Sequence, residues 1–147
     1  MVRFEQLAEM FEFLARLVEM VGDNPFKART YRFAAAKMRA HGGEEVTKEA
    51  VKELSKIKGI GKAVVKKSLQ FLETGHIKKI DEFESRVSPV FFLLARDSGL
   101  SGKILNKLYV ELKDLNCDEI VSILRERKEE LELSEEILER LQGLCTE

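Results

Sequence analysis

A chain of 147 residues is long enough to bury a core without disulfide or metal staples, and short enough to form one domain or two small helical subdomains sharing an interface. Hydrophobic residues make up 44% and charged residues 35%, a balance that excludes a disordered chain. The formal net charge of -1 gives no hint of an anionic partner, and no apolar run approaches the ~20 residues that a membrane span needs.

Over residues 2–21, Leu7, Met10, Phe11, Leu14, Leu17, Val18 and Val21 recur at helical spacing, and Gly22 can stop that helix. Arg3, Glu5 and Glu9 interrupt the apolar residues there, which is not the pattern of a signal peptide. Asn24-Pro25 reads as an N-cap followed by an N1 proline, opening a second helix through Tyr31, Phe33 and Met38. Its Ala34-Ala35-Ala36 run lets a neighbouring helix approach closely. Thr47 caps a third helix running to about Lys56, and a fourth, with Val64, Val65, Leu69, Phe71 and Leu72, stops at Gly75. Shorter helices follow from about Ile77 to Arg86 and from Pro89 onward. After Ser98-Gly99-Leu100-Ser101-Gly102 a helix carries Ile104, Leu105, Leu108, Tyr109 and Leu112. Asn116 with Glu119 has the spacing of a capping box, and Ser134 caps a last helix through Leu141. No segment alternates with period two. The expected fold is all-α, in two small subdomains, 1–86 and 87–147, each holding a helix-hairpin-helix unit.

Cys117 and Cys145 have no Cys or His beside them, so they form no metal-ligand set. They predict reduced thiols in an intracellular protein, in the cytoplasm or nucleoid, or in the nucleus of a eukaryote.

The sharpest motif is Leu54-Ser-Lys-Ile-Lys-Gly-Ile-Gly-Lys-Ala-Val-Val-Lys-Lys, two glycines flanking one apolar residue between helices. Glycine permits a tight turn with positive φ, and Ile60 would pin the turn by packing inward. The amides of Gly61 and Lys62 then open a helix, and a helix N-terminus with bare N–H groups binds phosphate. Such a contact reads no base, so binding is expected to be sequence-independent. Lys58, Lys62 and Lys66 add charge beside it. From Lys27 to Lys79 there are 14 basic residues against five acidic ones, +9 locally, while the rest of the chain is acidic by 10. Such a block is an electrostatic footprint for phosphate, or else a solvated helical face. Residues 93–115 repeat the pattern weakly, with Gly99, Ser101, Gly102 and Lys103 as a second set of candidate phosphate contacts.

Three segments, Asn24-Pro-Phe-Lys-Ala-Arg-Thr-Tyr-Arg-Phe-Ala-Ala-Ala, Leu54-Ser-Lys-Ile-Lys-Gly-Ile-Gly-Lys-Ala and Phe71-Leu-Glu-Thr-Gly, resemble in order and spacing the amino-terminal lyase domain of family X DNA polymerases. The residues after Pro89 resemble the fingers subdomain of the same family. The resemblance implies binding of gapped, nicked or 5′-phosphate-bearing DNA in base-excision repair, and removal of a 5′-deoxyribose phosphate through a lysine imine. It places the imine-forming lysine on Lys67 and pocket positions on Lys27, Tyr31 and Lys79, with Lys66 beside the amine. It implies no organic cofactor, a monovalent cation as a candidate occupant of the Gly59–Gly61 turn, and a repair polymerase or nuclease as a candidate partner. Departures from the family pattern are Lys66 where well-known members carry an acid, Ala63 and Ser55 at two pocket lysines, and Phe26 at a pocket histidine. The aspartates Asp23, Asp81, Asp97, Asp114 and Asp118 include no Asp-x-Asp pair, so two-metal polymerisation by this stretch is not expected. Two readings without catalysis stay open: a DNA-binding or scaffolding module of a repair complex, and a helical protein–protein adaptor whose hairpins are mere turns.

Overall fold

The structure is a computed structural model describing residues 1–146. It is all-helical, in the order α1 (Phe4–Met20), α2 (Pro25–Arg39), α3 (Lys48–Ser55), α4 (Lys62–Thr74), α5 (Lys78–Arg86), α6 (Pro89–Asp97), α7 (Gly102–Leu112), α8 (Cys117–Glu126), α9 (Lys128–Leu131) and α10 (Glu135–Cys145). The described residues contain no strand, only an isolated bridge between Arg3 and Glu45. None of the described helices is long and apolar enough to cross a membrane.

Most helix starts follow from local chemistry. Asn24, Thr47, Ser88, Ser101, Asn116 and Ser134 each accept a hydrogen bond from an amide of the helix they open, satisfying a donor that has no partner within the helix. Asn116 and Glu119 complete the expected capping box. The helix α9 was not expected; it ends where Glu132 takes a left-handed conformation at φ 55° without the aid of glycine.

The long helix α1 is the centre of the fold. Its apolar residues wrap most of its circumference, and Leu7, Ala8, Phe11, Leu14, Ala15, Leu17 and Met20 are all fully buried. On one side it packs against α2, where the small side chains of Ala34 and Ala35 permit close approach. On another it takes α6 and α7: the Phe13 and Phe92 rings meet edge-on at 5.3 Å, the Arg16 Nε–H donates to the Ala95 carbonyl at 2.7 Å, and the Asn106 amide donates to the Met20 carbonyl at 3.0 Å. The hydrophobic core is a single cluster running from Phe4 to Leu141.

The C-terminal end corrects the reading of the cysteines as reduced thiols. Cys117 and Cys145 form a disulfide, with their Cα atoms 5.4 Å apart. The cause is the antiparallel packing of α8 and α10, which sets the first residue of one beside the last of the other. Gln142 donates to Asp118 at 3.2 Å at that end, and Arg125 pairs with Glu135 at 2.8 Å at the opposite end.

Candidate nucleic-acid interface

The turn between α3 and α4 is built from main-chain hydrogen bonds. The Ile57 N–H donates to the Leu54 carbonyl at 3.0 Å and the Ile60 N–H to the Ile57 carbonyl at 3.1 Å. Ile60 is 6% exposed and anchors the turn in the core. The two glycines do different work. Gly59 has φ 102°, a conformation that side chains rarely adopt, and a Cβ there would lie 2.9 Å from the Phe33 ring. Gly61 has extended backbone, φ -97° and ψ -176°, and a Cβ there would meet nothing within 4 Å. Neither backbone conformation nor internal packing calls for glycine at 61. The missing side chain leaves room for something outside the protein.

Gly61 is also the N-cap of α4, and it has no side chain to cap the helix. The first amides of α4 carry the positive end of the helix dipole and present their N–H groups to an anion. Lys58, Lys62 and Lys66 are exposed around this end, as are Gly59 and Gly61.

On the flank of α4, a second group of residues converges. Lys67 is half-buried, and its ammonium lies 5.7 Å from the centre of the Tyr31 ring. Tyr31 comes from α2, is 7% exposed, and packs against Phe11 of α1 at 5.9 Å. Burial lowers the pKa of Lys67 below the ordinary lysine value, and the charges of Lys79, Lys66 and Lys27 add to the effect against an opposing Glu82. Burial also raises the pKa of the Tyr31 phenol. Lys79, from α5, stands 5.5 Å from the centre of the Phe83 ring and 3.7 Å from Glu82. Lys27 lies 3.5 Å from Asp23. The Asn24 N–H holds the Asp23 carboxyl below its usual pKa, with Lys27 and Lys79 contributing. The helices α2, α4 and α5 thus bring Lys27, Tyr31, Lys67 and Lys79 into one cluster, next to the open end of α4. Asp23 and Glu82 belong to the same electrostatic group and were not singled out from the sequence. The only local hint is that Asp23 precedes the Asn24-Pro25 helix start.

The second turn, between α6 and α7, differs. Gly99 has φ 80° and Leu100 is buried like Ile60. Ser101, however, caps α7: its Oγ accepts from the Ile104 N–H at 3.2 Å. Gly102 is buried, and a Cβ on it would collide with the Glu19 side chain from α1. Of the four candidate contacts at this turn, Gly99, Ser101 and Lys103 are exposed and Gly102 is not.

No group of three or more His, Cys, Asp or Glu side chains that could hold a metal ion occurs among the described residues. A monovalent cation at the Gly59–Gly61 turn would depend on backbone oxygens, and those of Leu54 and Ile57 already accept amide hydrogen bonds.

A known family matches this geometry where the hairpin lies. Residues 4–77 match the helix-hairpin-helix domain family, from the start of α1 to the N-cap of α5. The chain belongs to the helix-hairpin-helix domain family. It is also similar to the DNA polymerase/3′-5′ exonuclease PolX of Bacillus subtilis (strain 168), at 27% identity over 108 residues. That alignment covers 74% of this chain and 18% of the relative, so the chain spans a small part of the length of the curated protein it matches. In a helix-hairpin-helix domain the two helices are α3 and α4, and the hairpin is the Ile57–Gly61 turn.

Proposed function

We propose that this helix-hairpin-helix protein binds DNA without regard to sequence at gaps, nicks or 5′-phosphate ends, in base-excision repair, and that Lys67 makes it a 5′-deoxyribose-phosphate lyase. The observation that carries the reading is the placement of a partly buried lysine amine, with its pKa lowered, against Tyr31 and between Lys27 and Lys79, beside a helix end left open by Gly61. The open amides and the lysines of the hairpin hold backbone phosphates. Lys27 and Lys79 supply charge for the phosphate of the damaged end.

The chemistry follows from the amine. Neutral Lys67 Nζ adds to the C1′ aldehyde of the abasic sugar, and loss of water gives an imine, which takes up a proton. The protonated imine draws electrons and acidifies the C2′–H bond. Loss of that proton to solvent sends its electron pair into a new C2′=C3′ bond. The C3′–O bond breaks and its pair leaves with the phosphate oxygen, freeing the downstream strand with a 5′-phosphate. Water then hydrolyses the imine and restores the amine. Burial and like charge favour the unprotonated nucleophile that the first step requires.

Borohydride trapping tests this directly. DNA with a 5′-deoxyribose phosphate in a one-nucleotide gap, reduced in the presence of the protein, is expected to yield a covalent adduct whose modified residue is Lys67. If Lys67→Ala traps as well as the parent, the assignment of the nucleophile is wrong. Salt-sensitive DNA binding with no adduct selects a non-catalytic binding or scaffolding module instead.

A further inference from the structure

Where the two halves of the chain meet, the C-terminal ends of α1, α5 and α7 frame an open cavity of about 350 Å³, whose polar lining is Asp23, Arg86, Tyr109 and Lys113. Arg86 and Lys113 are exposed, and neither forms an ion pair or a side-chain hydrogen bond among the described residues. Arg32, Arg39, Arg125, Arg127 and Arg140, by contrast, each pair with a carboxylate. Each of the two cations is set over an aromatic face instead: Arg86 Cζ lies 5.5 Å from the centre of the Phe83 ring, and Lys113 Nζ 5.5 Å from that of the Tyr109 ring.

The negative groups at this place are already engaged. Asp23 accepts the Asn24 N–H at 2.7 Å through one oxygen and pairs with Lys27 at 3.5 Å through the other. The last carbonyls of α1 are also taken: Leu17 accepts from Val21, Val18 from Asp23, Glu19 from Gly22, and Met20 from the Asn106 amide. The cavity therefore holds two uncompensated cations beside a carboxylate and a helix end that are both satisfied from within. It also adjoins the lysine cluster. Arg86 and Lys79 both stand over the Phe83 ring, and the charge of Lys79 reaches Asp23. Along α5 the two cations are about 10 Å apart, about three steps of a DNA strand at about 3.4 Å each.

We propose that Arg86 and Lys113 hold a DNA backbone phosphate a few nucleotides from the damaged end, so that the second half of the chain takes part in binding through this cavity. A guanidinium fork and an ammonium together suit the oxygens of a phosphodiester.

The role of the cavity rests on the DNA-binding reading, and one titration separates the two. A 5′-phosphorylated one-nucleotide-gapped duplex is titrated over a range of KCl, and the slope of log K against log salt is measured. The double variant Arg86→Gln, Lys113→Gln keeps most of each side-chain stem, and a melting curve verifies its fold. Its slope is expected to be shallower than the parent's by about 1, the loss of one phosphate contact. Lys107→Gln with Lys128→Gln removes the same charge outside the cavity and should leave the slope unchanged. Duplexes with one neutral methylphosphonate linkage at successive positions then locate the phosphate: the linkage held in the cavity weakens binding by the parent and not by the Arg86, Lys113 variant. An unchanged slope in that folded variant, or an equal loss in the Lys107, Lys128 control, would overturn the proposal and leave DNA binding standing. So would a scan in which every linkage costs both proteins the same, as expected if the cavity takes only free phosphate. Absence of salt-sensitive binding by the parent would sink the DNA reading itself.

Discussion

The ammonium of Lys67 lies over the ring of Tyr31, 5.7 Å from its centre, at the meeting of α2 and α4. The ring gives the lysine stem a dry surface, and the charges of Lys79 and Lys66 make protonation less favourable there. The sign of the consequence is fixed. A lysine whose pKa lies below the ordinary value loses its proton at lower pH, so the trapping rate should rise with pH through that depressed value and level off above it. Replacing Lys79 or Lys66 with Met removes a like charge and raises the Lys67 pKa. The rise should then move to higher pH, with slower trapping at any pH on the rising limb. A profile that stays put, or moves to lower pH, is incompatible with the electrostatic role assigned to these lysines.

The two hairpin glycines should part company under substitution. Gly59→Ala meets both a left-handed backbone and the Phe33 ring, and a cost of about 1–3 kcal/mol in unfolding free energy is expected. Gly61→Ala meets neither, so its stability should fall by no more than about 1 kcal/mol, the cost of exchanging glycine for alanine as an N-cap, while DNA affinity falls because a methyl group now stands beside the α4 amides. Urea unfolding and fluorescence anisotropy, run on the same preparations, read the two effects separately. Equal stability losses for both variants would contradict the roles given to the two positions.

The disulfide closes a ring between positions 28 apart in sequence. By the chain-entropy argument a ring of that size contributes about 3.5 kcal/mol, corresponding to a fall of about 10 °C in Tm on reduction for a chain of this length. Ile137, Leu138 and Leu141 remain buried without it, and Arg140 still pairs with Asp97 at 2.6 Å, so the reduced protein should stay folded at room temperature. Calorimetry with and without a phosphine reductant, alongside Cys117→Ser, tests this. An identical Tm in all three samples would show that the bond constrains nothing.

A chain cut after Arg86 keeps the family-matched region but uncovers one side of α1. Phe13 loses the Phe92 ring, Arg16 loses the Ala95 carbonyl, and Met20 loses the Asn106 amide. Such a fragment should lose the sharp, cooperative melt of the whole protein when followed by circular dichroism. A melt as steep and as high as the parent's would mean that the first half is self-sufficient.

Much of the helical layout was readable because it depends on neighbours in sequence. Asn24-Pro25, Thr47, Ser134 and the Asn116–Glu119 pair mark helix starts through hydrogen bonds that span three residues or fewer. Lys27 and Tyr31 could be set on one helix face by their spacing alone. That Lys67 and Lys79 approach them depends on how α4 and α5 pack against α2, and this entered the sequence reading through family resemblance, not through any local pattern. The disulfide escaped because it needs α8 and α10 to run antiparallel, a fact that no spacing rule contains. The contact of Glu19 with Gly102 joins residues more than 80 apart, and Gly102 looked like a turn glycine when its real constraint is a side chain from another helix. The helix α9 has neither proline nor glycine to announce it.

The first hairpin presents main-chain atoms, and main-chain atoms do not mutate. Almost any replacement in the first turn of α4 retains its amides; a proline or a bulky residue at 61 is among the few changes that could remove or cover them. Evolution can therefore exchange the surrounding lysines freely, strengthening or weakening the hold on a strand, without endangering the contact itself. Divergent descendants of this sequence should drift in charge on α4 long before they surrender the glycine that precedes it.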